Sequence, residues 1–556
     1  MLIGIDVGGT CTDAVLLHEG RVLAKAKIPT AEDLLDSLMK ALDQIMAGIE
    51  PDKIERVVFS TTKITNLIAE RKYDPVAVLL LPGPGVSCWL YDLPAETVIV
   101  NGAIDYRGRE IIKLDLQQAV KKLDKLAEKG YRKLAIVGKF SNRNNSHESE
   151  IEVVLKDKYP DWQVVLGHRA GGRLNFPRRA VNTFYTCATR DKYREFINSV
   201  SQALKNRGVK AKAYILKADG GTLSLEESEK TPVETIFSGP AASTLGVQAL
   251  IPTGKTAIVM DIGGTTTDLA LILSGEPLLS AKGAKVEQLL TQVRGLAVKS
   301  IPVGGDTTVE AAGDKLTLTG RREGAPYCLG GPSPTPTDAL LVLNLIKLGD
   351  RDLALEAMNR LGLKLTPEQT AGLVVDEVVK TITAEIRKMF REWEEEPAYR
   401  IWEILQKQAV RLDLVAGVGG GAAGLVERVA AELNCFSLLP HHAEVANAIG
   451  AAVACPTVSA SLRADTERQI FTIDEAGYQG KLNKRNFSEQ DALQLAREWL
   501  ARLSETSLAG ETRVVEITRQ EVFNVVRGWH TVGKIYDIVV QTKRGILSRV
   551  EQEETI

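Results

Sequence analysis

The sequence predicts an α/β protein whose two similar halves grip a common ligand from opposite sides, followed by a small α+β module. Three observations carry this reading: a glycine-threonine loop that occurs twice, alternating strand and helix patterns around both copies, and a change of character beyond residue 460. The copies, Asp6-Val7-Gly8-Gly9-Thr10-Cys11-Thr12-Asp13 and Asp261-Ile262-Gly263-Gly264-Thr265-Thr266-Thr267-Asp268, agree at six of eight positions. Each lies between apolar runs, 2–5 and 14–17 in the first, 257–260 and 269–273 in the second, so each reads as a hairpin turn between strands. Glycines let backbone approach an anion, exposed N–H groups and threonine hydroxyls supply donors, and flanking carboxylates can hold Mg2+ directly or through water. A Rossmann or P-loop glycine run opens a helix instead, which excludes both motifs here. One such loop alone could be a turn that merely needs glycine. Two aspartate-flanked copies point to a polyphosphate clamp.

The elements follow in order. A helix opens at Thr30 as N-cap, with Asp33 three residues on and apolar positions Leu34, Leu35, Leu38, Leu42 and Ile45. Strands at 57–60 and 76–81, a helix at 116–129 and a strand at 134–137 continue the α/β alternation. A helical stretch at 191–207 leads to a strand at 213–217, the turn Asp219-Gly220-Gly221, and the second hairpin. The turn-rich segment 330–336, read as a linker, a lid or simply a proline-stiffened loop, delivers the chain into helices at 338–346, 353–361 and 367–393. Beyond 460, a helix at 489–503 and a strand at 534–541 form the terminal module. The expected domains are 1–185, 186–459 and 460–556.

The totals bound the class. At 556 residues and 44% hydrophobic, the chain can build several sizeable cores. A formal charge of −2 gives no electrostatic reason to expect nucleic acid or an anionic membrane. No apolar run is long enough to span a bilayer and the start runs straight into a strand, so a cytoplasmic protein is expected. Six cysteines (Cys11, Cys88, Cys187, Cys328, Cys435 and Cys455) contain no C-x-x-C pair, against a zinc ribbon, an iron-sulfur site or a disulfide framework. Cys11 takes the loop position of Thr266, where a small side chain fits.

A third glycine cluster, Gly417-Val418-Gly419-Gly420-Gly421-Ala422, follows a strand at 412–416 and opens a helix at 423–433. The next strand, 435–439, ends in Pro440-His441-His442 rather than the acidic residue a ribose-binding unit requires, which argues against NAD. A glycine turn at a helix N-terminus suits packing against adenosine better. Gly254-Lys255-Thr256 lacks the first Walker A glycine and precedes a strand. His441 and His442 are expected to point to opposite sides of an extended chain, against a shared metal.

Two GGT hairpins in duplicated α/β halves, with a later glycine-helix unit, resemble the actin, sugar-kinase and Hsp70 superfamily. Within it the chain resembles the hydantoinase/oxoprolinase family, specifically its ATP-binding A-type subunit, over roughly residues 1 to 455. The resemblance rests on Gly4-Ile5-Asp6-Val7-Gly8-Gly9-Thr10, on the strip from Ser60-Thr61-Thr62 to Arg71-Lys72, on Asp219-Gly220-Gly221, on Ser238-Gly239-Pro240-Ala241-Ala242, and on 260–268.

It implies actin-like lobes around a nucleotide cleft, with ATP and Mg2+ used by an ATP-hydrolysing enzyme to open or activate a cyclic amide (hydantoin or 5-oxoproline-like) or related carbonyl substrate. The expected roles are Asp6 and Asp261 for Mg2+ or its waters, Gly8, Gly9, Thr10, Thr12, Gly263, Gly264, Thr265 and Thr267 for phosphate, and Asp268 or Asp13 for orienting an attacking group. A turn-capping carboxylate is the alternative for those last two. Thr61, Thr62 and Asn66 would be polar groups near substrate or γ-phosphate, with a helix cap the alternative for Thr62 and Asn66. Gly304 and Gly305 would line the cleft near phosphate or form a hairpin turn, and Gly419, Gly420 and Gly421 would face the nucleotide. Ser238-Gly239-Pro240 and 440–448 would be the two crossings between lobes. The chain departs from the family in reading Phe59-Ser60 where a His-Gly pair is common and in placing Cys11 inside the first clamp. Residues 460–556 are too short to replace the B-type subunit with which many A-type chains work. The alternative is a regulatory or reactivating ATPase acting on a client enzyme.

Overall fold

The computed structural model describes residues 1–551 apart from 32, 86–92, 172–173, 281, 314, 396–409 and 509–513. Cys88 lies outside the described residues.

The first half is organised by a six-stranded sheet. Strand β1 (Leu2–Val7) pairs antiparallel with β2 (Cys11–His18), which pairs antiparallel with β3 (Arg21–Pro29). On its other edge β1 runs parallel to β4 (Arg56–Thr61), and β4 runs parallel to β5 (Lys212–Leu216). The second half repeats the plan: β6 (Ala257–Ile262) forms a hairpin with β7 (Thr267–Leu273) and runs parallel to β8 (Leu414–Val418). In both hairpins the two flanking aspartates oppose each other, Asp6 against Asp13 and Asp261 against Asp268. The duplicated actin-like lobes are therefore present as sheets of matching order.

Strand alternation decides what each face meets. Ile3, Ile5 and Val7 bury into the first lobe's core, while Ile258, Met260 and Ile262 bury into the second's. The opposite faces, carrying Gly4 and Asp6 in one lobe and Ala257, Val259 and Asp261 in the other, turn toward a core shared between lobes. Two helices fill that space, Ser238–Leu250 and Ala446–Val453. They meet at glycine: a Cβ on Gly246 would lie 2.0 Å from the Ala446 carbonyl oxygen, and one on Gly450 would lie 1.9 Å from that of Ala242. Gly4 is equally tight, at 2.0 Å from the Ala448 oxygen.

The lobes differ in their insertions. The first carries a parallel four-stranded sheet, ordered Gln163–Leu166, Lys133–Gly138, Ala77–Leu81 and Glu96–Ile99. The second carries helices Pro336–Val342, Arg351–Arg360 and Pro367–Glu394. The turn-rich segment ahead of them ends in a capping box, in which Thr335 and Asp338 satisfy each other's backbone N–H. The terminal module is a five-stranded antiparallel sheet with helix Glu489–Leu508 packed on it, the α+β arrangement expected.

Two local expectations are corrected. The first helix, Leu34–Ile45, is capped by Asp33, whose carboxylate accepts from Leu35 N, not by Thr30. The helix expected from 191 begins at Phe176 and runs to Asn206. Asn175 caps it, and the proline in its first turn is tolerated because that N–H has no helical partner. Residue 185 thus falls inside a helix. No described helix is long and apolar enough to cross a membrane.

Candidate functional site

Both loops fold into the same turn. Gly8 N donates to the Cys11 carbonyl at 3.1 Å, and Gly263 N donates to the Thr266 carbonyl at 3.0 Å. This explains the exchange of Cys11 for threonine: the position contributes its carbonyl, which any residue has. Gly9, Thr10, Gly263 and Thr265 are exposed at the tips. Thr12 and Thr267, expected to contact phosphate, are instead fully buried. The Thr12 hydroxyl lies 3.1 Å from that of Thr30, which donates to the Gly8 carbonyl, and the Thr267 hydroxyl donates to the Val303 carbonyl at 2.6 Å. These hydroxyls brace the loops from behind.

The aspartates converge from the two lobes. The Asn447 side-chain amide, near the start of the second crossing helix, donates to Asp6 Oδ2 at 3.3 Å and to Asp261 Oδ2 at 3.4 Å. Burial raises the Asp6 carboxyl, outweighing hydrogen bonds from Ser60 and Asn447, and Asp6 Oδ1 is buried without a partner. Asp261 is pushed up to about 7, first by burial and then by the like charge of Asp268. Burial also raises Asp268. Asp13 is raised to about 6 by burial, although Lys27 Nζ holds both its oxygens at 2.8 and 2.9 Å. Four carboxyls raised together mark a buried place where Lys27 does not offset the crowded negative charge.

An orphaned oxygen on Asp6 and an adjacent Asp261 suit Mg2+, which binds through one or two carboxylates and completes its shell with water and phosphate. No group of three or more His, Cys, Asp or Glu able to hold a metal occurs among the described residues.

The other glycine clusters buttress the second loop. Gly305 N donates to the Gly263 carbonyl at 2.9 Å and Asp306 N to the Gly264 carbonyl at 2.7 Å. A Cβ on Gly304 would lie 2.4 Å from the Gly264 oxygen. Gly419, at φ +84°, presses so closely that a Cβ would meet the Ile262 oxygen at 2.6 Å and Asp261 Oδ1 at 2.8 Å. Gly421 N donates to the Ile262 carbonyl at 3.3 Å, and Gly420 is exposed beside it at the mouth of helix Ala422–Leu433.

In the threonine strip, Thr61 is buried, its hydroxyl accepts from Lys63 N, and its backbone is clasped by the Ser238 hydroxyl, 3.1 Å from the N–H and 2.9 Å from the carbonyl. The first crossing is thereby stitched to β4. Thr62 holds the N-cap position of helix Lys63–Ala69 without a side-chain cap bond, and its hydroxyl reaches the Val7 carbonyl at 3.4 Å. Asn66 donates to that hydroxyl at 3.2 Å. The strip lies beside the first loop, with Thr61 opposite Val7 in the sheet.

His441 and His442 do not diverge. His442 has φ +66°, the chain turns there, and the two rings lie 4.0 Å apart.

Sequence reasoning did not single out Asn447, Lys27 or the bracing role of Thr30. Lys27 was within reach, because it opposes Asp13 across the second hairpin pair. Asn447 is the lone polar side chain in the helix Ala446–Val453, a signal that a buried polar group has a partner.

Comparison with known proteins places this geometry. Residues 2–159 match the model of the hydantoinase/oxoprolinase N-terminal region and residues 179–459 match that of hydantoinase/oxoprolinase. The chain is 25% identical to the acetophenone carboxylase gamma subunit of Aromatoleum aromaticum over 62% of this chain and 53% of the relative. It is also 25% identical to the caprolactamase subunit alpha of Pseudomonas jessenii, over 62% of this chain and 55% of the relative. It thus spans about half the length of these curated relatives. Among solved structures, the ATP-dependent caprolactamase of Pseudomonas jessenii superposes with a TM-score of 0.74 at 18% identity, covering 100% of this chain and 89% of that one. Nucleotide-free acetone carboxylase gives 0.72 at 17%, covering 98% and 87%. These two likenesses establish the fold.

Proposed function

Because the chain belongs to the hydantoinase/oxoprolinase family, we propose that it binds Mg-ATP between the two hairpins and transfers the γ-phosphoryl group to the oxygen of a small amide or carbonyl substrate. The observation that carries this reading is the meeting of Asp6 and Asp261 at Asn447, with the tips of both loops exposed. Backbone N–H groups at Gly9 and Gly264 and the hydroxyls of Thr10 and Thr265 are the phosphate donors, and Gly420 with Gly421 packs against adenosine. Asp6 and Asp261 hold Mg2+ or its waters, which would neutralise charge on the transferring group. Asp268, with no ion pair among the described residues such as Lys27 makes with Asp13, orients the attacking group.

The substrate oxygen attacks the γ-phosphorus, the bond to the β,γ-bridging oxygen breaks, and ADP leaves. An amide oxygen is a poor leaving group until it carries phosphate, so the phosphorylated species then accepts water or another nucleophile. With a cyclic amide, water adds to the carbonyl carbon of the phosphorylated species, the C–N bond breaks with a proton to nitrogen, and a second water releases phosphate from the acyl phosphate; this hydrolysis is the reading supported by the caprolactamase relative. With a ketone, phosphorylation of the oxygen goes with loss of an α-proton to give an enol phosphate; bicarbonate takes the phosphoryl group, and the released enolate carbon attacks the resulting CO2 as phosphate leaves, a carboxylation supported by the acetophenone carboxylase relative. Both relatives are named as subunits, which supports a B-type partner polypeptide that completes the reaction. The reaction takes place in the cytoplasm in this reading, and the lobes divide as 1–185 and 186–459, joined through the helix that spans residue 185.

The test is phosphate release from Mg-ATP in the presence of hydantoin, 5-oxoproline, caprolactam, or acetophenone with bicarbonate, each with and without a B-type partner. Stimulation by a small molecule that disappears in Asp261→Ala supports the proposal. Stimulation by a client protein alone would replace it with a regulatory ATPase, and failure to bind nucleotide would end it.

A further inference from the structure

The terminal module ends in a long hairpin that its sheet supports only in part. Strands Val515–Arg527 and His530–Thr542 pair antiparallel. The next strand inward, Ser459–Asp465, pairs with the second of them only from Gln541 to Ile535. Past that point the hairpin runs on as two strands to a turn at Gly528 and Trp529. A two-stranded hairpin standing free is marginal in water, and this one displays apolar side chains: Trp529 is 99% exposed, Val526 57% and Phe523 49%. Val515–Arg527 is also the edge of the five-stranded sheet, so among the described residues no strand takes up its outer N–H and C=O groups. A long apolar edge of this kind is a template for pairing with another chain.

The order of side chains along that edge is self-complementary. From Arg519 to Arg527 the outer strand is regular, because the bulge at Ile517 lies behind it and the irregularity at Val525 places its extra residue on the inner strand. An antiparallel copy related by a twofold axis sets residues equally far from the axis opposite each other on one face of the sheet. With the axis at Asn524, Glu521 faces Arg527, Val522 faces Val526 and Phe523 faces Val525, each pair formed twice. Beyond their bonds to Arg519 and Glu467, the side chains of Glu521 and Arg527 are 48% and 72% exposed. The two Asn524 amides meet on the axis, where each can both donate and accept. Trp529 of one copy comes beside Arg519 of the other, a cation–π pairing. Moving the axis to Phe523 would oppose Arg519 to Arg527, and moving it to Val525 would oppose Arg527 to Phe523. Charge complementarity therefore selects one register.

We propose that this edge joins two copies of the chain into a dimer, their terminal sheets running on as one continuous sheet about an axis at Asn524. The pairing goes beyond the nucleotide chemistry and does not depend on it.

The test is sedimentation velocity of the full chain together with cysteine cross-linking. The wild type is expected to be dimeric at about 50 µM, and Val526→Lys, which sets a lysine against Val522 twice, to weaken the dimer at least about tenfold. Asn524→Cys is expected to form a disulfide-linked dimer under mild oxidation, because its two thiols face each other across the axis. Gln520→Cys is expected to stay unlinked like the wild type, since its two copies would stand roughly 27 Å apart along the paired strands. A monomeric wild type, an unweakened dimer in Val526→Lys, no linkage of Asn524→Cys, or equal linkage of Gln520→Cys would overturn the proposal. So would a B-type polypeptide found on this edge in place of a second copy. Mg-ATP binding measured in parallel reports the nucleotide reading separately: its absence with the dimer intact would leave the pairing standing.

Discussion

Replacing Asp261 with asparagine tests whether the clamp is strained by its own charge. Burial and the like charge of Asp268 push the carboxyl up to about 7 in the folded chain, against 3.8 for a free aspartate. At about 1.4 kcal/mol per unit, ionising it in the folded state costs at most ~4 kcal/mol. Asp6, Asp13 and Asp268 share the same crowding, and their titration adjusts when one charge is removed, so about half, ~2 kcal/mol, is expected. The sign follows from the raised value. The contribution of Asp261 to wild-type stability is fully present below about pH 4, where it is protonated in both states, and is lost as pH rises through about 7. Asp261→Asn lacks that loss, so its stability relative to wild type is expected to climb between about pH 4 and pH 7 and then level off. Urea denaturation of the nucleotide-free proteins across this range measures it. Mg-ATP turnover is expected to fall at least about a hundredfold if Asp261 holds Mg2+ as proposed, since a neutral amide would not replace a carboxylate there. A difference in stability that is flat with pH, or turnover that survives in the folded mutant, would refute the reasoning.

Asn447→Ala removes the amide shared by Asp6 and Asp261 and is expected to lower ATP turnover about tenfold, with the change seen in steady-state kinetics at saturating substrate. Gly450→Val forces a side chain into the Ala242 carbonyl and is expected to cost at least ~3 kcal/mol, read as a lowered Tm in thermal unfolding. Arg107→Ala breaks the buried contacts of its guanidinium with Asp465 and Glu467 of the terminal module, both within 2.6 Å. A loss of ~3–5 kcal/mol is expected, with limited proteolysis showing early release of residues 460–556.

Where the sequence was legible, one physical signal dominated. The hairpins were visible because glycine, threonine and aspartate interrupted strongly apolar strands, and the register that sets Asp6 against Asp13 follows from strand alternation. The long helix was misplaced at its start because its first half is buried on nearly all sides and so lacks an amphipathic stripe, while the proline in its first turn resembles a stop. Thr30 and Asp33 both suit an N-cap, and only the fold shows that Thr30 is engaged with the first loop. The roles expected of Thr12 and Thr267 assumed that every threonine in the loop faces outward, whereas both belong to strands and turn their hydroxyls into the lobe. Asn447 and the His168–Glu148 pair depend on contacts between distant elements, and no local periodicity announces such a meeting.

The two crossing helices touch main chain to main chain, with glycine at the closest points. At those points no side chain stands between the helices, so a change of angle between the lobes would pivot there with the least repacking of the surrounding core. The hairpin tips stand at the ends of the levers that such a joint would move. A small rotation at a smooth bearing would then open or shut the mouth for nucleotide while both sheets travel as rigid plates.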